Sequence, residues 1–258
     1  AKNRTGGIAL GDGTFFGGIA EGEPLNRFYG YVATGIIETE EQAANANYDA
    51  LSRLPQKGAK RVGDYEWADR NGDGQITTAD QFCLGVTVPP FTGGLQNSFR
   101  LKNWTLSLYL DWATGHSIFD ESYSRYFYGT FTNNYALAKD VLKAWKKPGD
   151  KTKYAKFYAN DSNWGNDNYN RRATNTFTYK GDYLCLREIT LQYSLPSKLF
   201  TKVGLKGVTL TVSGNNLYYF TEVKGISPEA GSSTTYDGDV FYNYPPIRRF
   251  SFGVRLIF

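Results

Sequence analysis

From Trp104 to Trp112 apolar and polar residues alternate without a break. Trp104, Leu106, Leu108, Leu110 and Trp112 fall on one parity, Thr105, Ser107, Tyr109 and Asp111 on the other. Successive side chains of a strand point to opposite faces, so this spacing predicts a strand with one greasy and one polar face. Just upstream, Phe91, Gly93, Leu95, Phe99 and Leu101 alternate with Thr92, Gln96, Ser98 and Arg100. Lys102-Asn103 between the two runs is short enough to make them a hairpin. Three later runs repeat the pattern. Tyr183, Cys185, Ile189, Leu191, Tyr193 and Leu195 alternate with Glu188, Thr190, Gln192 and Ser194; Val208, Leu210 and Val212 with Thr209, Thr211 and Ser213; Phe250, Phe252, Val254, Leu256 and Phe258 with Ser251, Gly253 and Arg255. A weaker candidate, roughly Pro24 to Ile36 with Phe28-Tyr29-Gly30-Tyr31-Val32 inside it, brings the expected strands to six.

The connections alternate in length. Gaps 37–90, 116–182 and 220–247 are long, whereas 102–103 is tight and 196–207 short. Antiparallel neighbours with long loops on one rim and short turns on the other match outer-membrane β-barrels. Two helices are expected inside the long gaps. Thr39 followed by Gln42 is a capping box opening an Ala-rich stretch that runs to about Leu54. Ala138, Val141, Leu142 and Trp145 stand at helical spacing before Pro148-Gly149.

The last run carries a further signal. Phe250, Phe252, Val254, Leu256 and Phe258 place an apolar residue at every second position up to a terminal aromatic. That is the pattern of the closing strand of an outer-membrane barrel, where it resembles the signal read by the assembly machinery; an amphipathic strand that merely ends a soluble domain shows the same alternation. On the barrel reading Phe258 lies at the periplasmic rim and the long connections are extracellular.

Composition narrows the function classes. No apolar run approaches the 18 residues a membrane helix requires, but a barrel strand needs only about 9–11 residues and shows only alternation. Twenty-eight Gly with 20 Tyr, 17 Phe and 5 Trp favour strands and turns over helix bundles. The net charge of +4 is spread along the chain, which gives nucleic-acid binding no support. With a single histidine, His116, most Ser-His-Asp, Cys-His and His-rich metal chemistries drop out, and His116 itself reads as a loop or rim residue. No convincing acid/base pair or nucleophile stands out, so an enzyme is not expected. Cys83 and Cys185 make no disulfide framework. The 258 residues contain no methionine and open on Ala1-Lys2-Asn3 without a leader, so a piece of a longer chain is expected. Six strands cannot close a barrel, which leads to the same expectation.

The sharpest local motif is Asp69-Arg70-Asn71-Gly72-Asp73-Gly74-Gln75-Ile76-Thr77-Thr78-Ala79-Asp80. Asp69, Asn71 and Asp73 hold positions 1, 3 and 5 of an EF-hand-type loop, the Gln75 carbonyl position 7 and Asp80 position 12. Alternate side-chain oxygens can wrap a hard cation, Ca2+, and Gly74 permits the sharp turn. Asp80 stands where a longer Glu is usual, which lowers the expected affinity. The competing reading is an Asn-Gly/Asp-Gly turn with solvated carboxylates. The Tyr- and Asn-rich stretches Tyr123 to Tyr135 and Asn160 to Tyr169 read either as sugar or peptide contacts, or as loop packing, or as an aromatic girdle.

Four segments together resemble the SusC/RagA group of TonB-linked outer-membrane proteins of Bacteroidetes. They are Glu21-Gly22-Glu23-Pro24 with Phe28-Tyr29-Gly30-Tyr31; Gly63-Asp64-Tyr65 followed by Asp69 to Asp80; Gly181 to Pro196; and Ser213-Gly214-Asn215-Asn216-Leu217 with Tyr244-Pro245 and the terminal strand. They run in the family's order from about residue 20 to 258, with Cys185 and Glu188 departing from its pattern. The resemblance implies an all-β fold, the C-terminal portion of a large antiparallel transmembrane barrel of 22 strands in the family, with short helices in long extracellular loops. Residues 1–258 would form that portion, with 69–80 in an extracellular loop and the plug and N-terminal strands outside this chain. It further implies an outer-membrane importer of glycans, oligosaccharides or peptides. The implied partners are the N-terminal remainder of the transporter, a SusD-like surface lipoprotein lid, TonB, outer-membrane lipid and the substrate. The rival expectation is a soluble surface glycan-binding β module with a calcium-stabilised loop, whose apolar faces would pack against each other.

Overall fold

The computed structural model describes residues 24, 27–51, 60–120, 123–124, 127, 137–157, 174–200, 204–229 and 246–258, and the backbone of the strands Thr5–Ala9 and Phe15–Ile19. The chain divides into two compact units. One comprises Pro89–His116, Lys180–Ala230 and Asn243–Phe258, and it is built on a single sheet. Its strands are β1 (Phe91–Leu101), β2 (Trp104–Thr114), β3 (Tyr183–Ser194), β4 (Gly207–Thr221) and β5 (Arg249–Ile257). All neighbours are antiparallel, in the order β5-β4-β3-β2-β1.

The register explains why the alternation is so regular. Leu106 of β2 stands between Phe99 and Leu191, and Leu191 is paired in turn with Val212, which is paired with Phe252. One step along, Thr105 stands between Arg100 and Gln192, followed by Thr211 and Gly253. One face is therefore a continuous apolar surface and the other a polar one. The apolar face is not covered: Phe99, Trp104, Leu106, Leu191, Leu210, Phe250 and Val254 are all exposed, and Phe252 is 81% exposed. The packing of apolar faces expected for a soluble module is not what the sheet shows.

Aromatic residues mark both ends of this face. Near the short-turn rim the rings of Trp104 and Tyr193 lie 4.4 Å apart; toward the other rim stand Trp112, Tyr218 and Phe220, the last two 4.7 Å apart. The Trp112 indole lies across Gly93, where an added Cβ would collide with it. From Trp104 to Trp112 the strand covers about 26 Å at the usual rise, the length of a membrane-crossing barrel strand. At the tight rim Lys102 adopts a left-handed φ of 53°, and the Asn103 side chain donates to the Ser194 carbonyl at 2.6 Å, tying the hairpin to β3.

The sheet departs from the expected pattern in one place. Tyr109 pairs with Glu188 but Leu110 pairs with Leu186, so Arg187 is an extra residue in β3. The bulge reverses parity. Leu184 and Leu186 share the apolar face with Ile189 and Leu191, while Tyr183 and Cys185, expected beside Ile189, lie on the polar face. Strand β4 compensates opposite the bulge, with Asn216 at φ 51°. It runs on to Thr221, close to the start of the long connection expected from residue 220.

The second unit contains the described parts of Ala1–Val88 and Ser117–Tyr179. Its core is aromatic: Tyr31, Tyr65, Trp67, Phe127 and Phe177 are buried together with Ile76, Ala144 and Ala155. The strand expected over 24–36 is two short strands of this unit, Arg27–Gly30 and Ala33–Ile36. All four residues of the first are buried, so it lacks the one-sided exposure of β1 to β5. The capping box at Thr39 and Gln42 forms as expected, but helix α1 covers only Glu40–Asn45. Beyond it the Tyr48 N–H donates to the Gly74 carbonyl, and Tyr48–Asp49 pairs in parallel with Gln75–Ile76. The second expected helix is a 3-10 turn, Lys139–Lys143. It cannot extend because the Trp145 N–H donates to the Tyr154 carbonyl and Asp150 accepts from the N–H groups of Lys146 and Lys147. No helix among the described residues is long and apolar enough to cross a membrane.

The two faces of β2 make opposite predictions. Leu108→Arg, midway along the apolar face, is expected to destabilise the folded protein by about 2–4 kcal/mol if that face meets lipid. Ser107→Arg, one residue away on the polar face, should cost far less. Heat-modifiable mobility of the full-length protein in detergent gels reads the difference; equal losses would contradict the assignment of Leu108 and Ser107 to an apolar and a polar face.

Candidate functional site on the polar face of the sheet

The polar face is organised around the bulge. Arg187 has five N–H donors and all five are used. Nε and Nη2 form a fork on Asp111 of β2, both at 2.7 Å. Nη1 donates to Asn216 Oδ1 and Tyr219 Oη of β4, both at 3.0 Å. Nη2 also donates to Glu229, on the segment that follows β4. The guanidinium lies 5.7 Å from the Tyr219 ring centroid. One side chain thus ties three strands and a connecting segment together. A bidentate arginine–carboxylate pair is among the stronger polar interactions a protein makes.

His116 secures the same connecting segment. Its ring is buried, with Nε2 3.1 Å from the Pro228 carbonyl, and the His116 carbonyl accepts from the Gly181 N–H at 2.8 Å. An added Cβ at Gly181 would strike the imidazole, so that contact requires glycine. The expected rim residue is a packing residue at the end of the sheet. On the same polar face Glu188 accepts from Thr190 Oγ1 at 2.6 Å, and Cys185 is fully buried. Cys83 is exposed, and both thiols are free.

The acidic loop 69–80 belongs to the other unit. Asp69 accepts from the N–H groups of Gly72 and Gly74, at 2.7 and 2.8 Å. These bonds, Gly74 first, hold its carboxyl below the usual carboxylate range. Gly72 and Gly74 have φ of 76° and 78°, the left-handed turns the loop requires. Asn71 Oδ1 accepts from the Asp73 N–H, and Asp73 Oδ1 from the Gln75 N–H. Asp80 is fully buried and reaches across the loop, accepting from the N–H groups of Arg70 and Thr77. Among the described residues no three His, Cys, Asp or Glu side chains are gathered as a ready metal cage. The Gly74 and Ile76 carbonyls are taken by the N–H groups of Tyr48 and Ala50.

Phe250, Phe252, Val254, Leu256 and Phe258 are all exposed, and those within β5 lie on the apolar face of the sheet. Of the aromatic stretches, Tyr123 and Phe127 pack with Tyr154 and Phe177, their rings 4.5–6.2 Å apart. Tyr123 Oη donates to Asp140 at 2.5 Å, and burial together with that bond pushes its hydroxyl well above the usual tyrosine range. That is loop packing. Residues 128–135 and 160–169 lie outside the described residues. Neither Arg187 nor Asp111 is marked as a site by any local motif. The available signal is an arginine on the apolar parity of its run, between Cys185 and Ile189, but the bulge that brings it to Asp111 is not marked in the sequence.

No protein-family model matches the chain. It is similar to TonB-dependent receptor P3 of Formosa agariphila, 30% identical over 252 residues, covering 93% of this chain and 23% of that receptor. It is also 29% identical to TonB-dependent receptor P39 of the same organism over 259 residues, covering 87% of this chain and 24% of that protein. Among solved structures, a chain of the RagAB peptide transporter superposes with a TM-score of 0.66 at 19% identity, over 97% of this chain and 24% of that one. The RagAB peptide importer in its open-open state gives 0.61 at 20% identity. The chain therefore spans about a quarter of the length of the relatives it matches. Sheet and relatives together define a segment of an outer-membrane β-barrel. Over nearly its whole length the chain is similar to TonB-dependent receptors, in line with the group its motifs resemble, and the curated relatives it matches are receptors rather than enzymes.

Replacing the fork tests its weight. Arg187→Lys keeps the charge but loses the paired geometry, and it is expected to destabilise the full receptor by about 1–3 kcal/mol. Guanidinium unfolding in detergent measures this; an unchanged midpoint would show that the fork does not hold the strands.

Proposed function

We propose that residues 1–258 are the C-terminal barrel portion of an outer-membrane importer of oligosaccharides, other glycans or peptides. TonB energises it through a segment outside this chain, and a SusD-like lipoprotein covers its extracellular mouth. The observation that carries the reading is the five-stranded sheet with one uncovered apolar face bounded by aromatics, on a chain similar to TonB-dependent receptors. Long connections leave one rim and short ones the other, which supports a reading with the long ones outside the cell and the hairpin at Lys102-Asn103 on the periplasmic side. The peptide branch draws support from the RagAB peptide transporter, with which the chain shares its fold. Phe250, Phe252, Val254, Leu256 and Phe258 act as the barrel-assembly signal. The full receptor is expected only in detergent-extracted outer membrane, together with a lipoprotein. Loss of TonB should abolish uptake, and Phe258→Ala should lower the amount of folded receptor. A detergent-free monomer of native fold would sink the proposal.

A second proposal concerns the loop of Asp69, Asn71, Asp73, Gln75 and Asp80 as a Ca2+ site facing outward from the cell. Its support is the spacing, the Asp69 carboxyl held at the turn with its pKa lowered, and Asp80 closing the loop beside position 1. Each carboxylate has about four lone-pair sites, so the N–H bonds do not exhaust them. Calcium titration of the full receptor is expected to raise its melting temperature, and Asp73→Ala should remove most of the gain. Equal responses from both proteins would dispose of the site.

A further inference from the structure

A pocket of about 560 Å3 opens at the long-connection rim of the sheet, and its walls mix apolar and charged side chains. Its floor is a row on the apolar face, in which Trp112 pairs with Leu184 and Leu184 with Phe220. All three are exposed. Two residues nearer the rim, Asp182 before β3 and Glu222 after β4 keep the same parity and line the same pocket, together with Lys180. Asp182 is held in place: Oδ1 accepts from the Gly115 N–H at 2.6 Å, and its carbonyl accepts from Thr221 Oγ1 at 2.9 Å. Those two bonds join the ends of β2, β3 and β4, so the sheet itself builds the mouth of the pocket. Lys180 and Glu222 are exposed, and neither enters an ion pair among the described residues. A cation and an anion thus line one pocket without neutralising each other, beside an apolar floor.

We infer that this pocket holds the head group of phosphatidylethanolamine, with the phosphate on Lys180, the ammonium on Glu222 and the acyl chains on Trp112, Leu184 and Phe220. The inference rests on the membrane reading of the apolar face and adds a lipid that the face selects. The floor is continuous with the uncovered apolar surface, so an occupant of the pocket extends onto a face suited to hydrocarbon. The aromatics at that rim, Trp112, Tyr218 and Phe220, mark the depth at which hydrocarbon gives way to head groups. A lysine at such a depth lays its methylene stem along apolar surface and puts its ammonium among the head groups. The unpaired charges are one of each sign, the pattern that complements a zwitterion. Asp182 adds a second carboxylate, which favours a head group carrying an ammonium over a purely anionic one. Glu222 needs an N–H donor for a charge-assisted hydrogen bond; an ethanolamine ammonium supplies one, and a choline does not.

Native mass spectrometry of the full-length protein reads the preference. The protein is delipidated in detergent and given equal amounts of dioleoyl phosphatidylethanolamine, phosphatidylcholine and phosphatidylglycerol. The wild type is expected to retain phosphatidylethanolamine over both competitors. Lys180→Gln should weaken its binding about tenfold, the loss of one charge-assisted bond. Glu222→Gln should close the gap to phosphatidylglycerol. Lys198→Gln, at the short-turn rim, should change nothing. Both pocket side chains are exposed, so the variants are expected to fold, and retained β circular dichroism checks this. Equal retention of the three lipids or preference for a competitor, unchanged binding in Lys180→Gln, or an unchanged preference in Glu222→Gln overturns the site. Recovery of the full-length protein as a detergent-free monomer would instead sink the membrane reading itself, which keeps the two failures apart.

Discussion

A bulge in a membrane-facing sheet has to keep its side chains on the correct faces, and here that requirement converges on Arg187. An extra residue in β3 would turn every following apolar side chain away from lipid if the pattern ran on unbroken. The sequence around it changes parity in step, from Ile189 and Leu191 to Leu186 and Leu184. The ladder is interrupted at Arg187 itself, and the side chain supplies what the ladder loses there by bonding Asp111 on one neighbour and Asn216 and Tyr219 on the other. Removing the fork would leave β2, β3 and β4 joined above and below an unbraced step.

The same arrangement shows which features of the fold were legible. The faces of β1, β2 and β5 followed directly from alternation, because the extra residues of the bulge lie in β3 and β4 and leave the parity of these three strands unbroken. The faces of β3 and β4 were legible only on the rim side of the bulge. Tyr183 and Cys185 looked apolar and in phase with Ile189, yet they line the polar side, Cys185 fully buried there. Beyond Val212, Ser213-Gly214-Asn215-Asn216 has the composition of a turn, whereas pairing with β3 and β5 keeps it in a strand. Tertiary pairing overrides local preference at these residues. The candidate site was hidden for the same reason: Asp111 and Arg187 are 76 residues apart and meet only through the register that the bulge sets.

In the other unit local chemistry reached only as far as single turns. The Thr39–Gln42 box forms because both of its bonds are made within four residues. The helix it starts stops after Asn45, where long-range pairing of Tyr48 with Gln75 takes the backbone groups a longer helix would have used. At 69–80 the turn and the loop motif are one structure. The N–H groups of Gly72 and Gly74 hold Asp69 in place, which a solvated turn and a cation loop both need.

The apolar face sets a limit on what this sheet can be. Leu106, Leu191, Val212 and Phe252 form a row across four adjacent strands, with every member exposed. Contiguous apolar surface on that scale is costly in water and ordinary in lipid. In lipid, however, the outward backbone groups of β1 and β5 must also be paired, because no water is there to take them and each unpaired group costs several kcal/mol. The face that makes the membrane a suitable solvent thus makes an open edge untenable. A barrel closed by further strands satisfies both conditions, and a sheet of five does not.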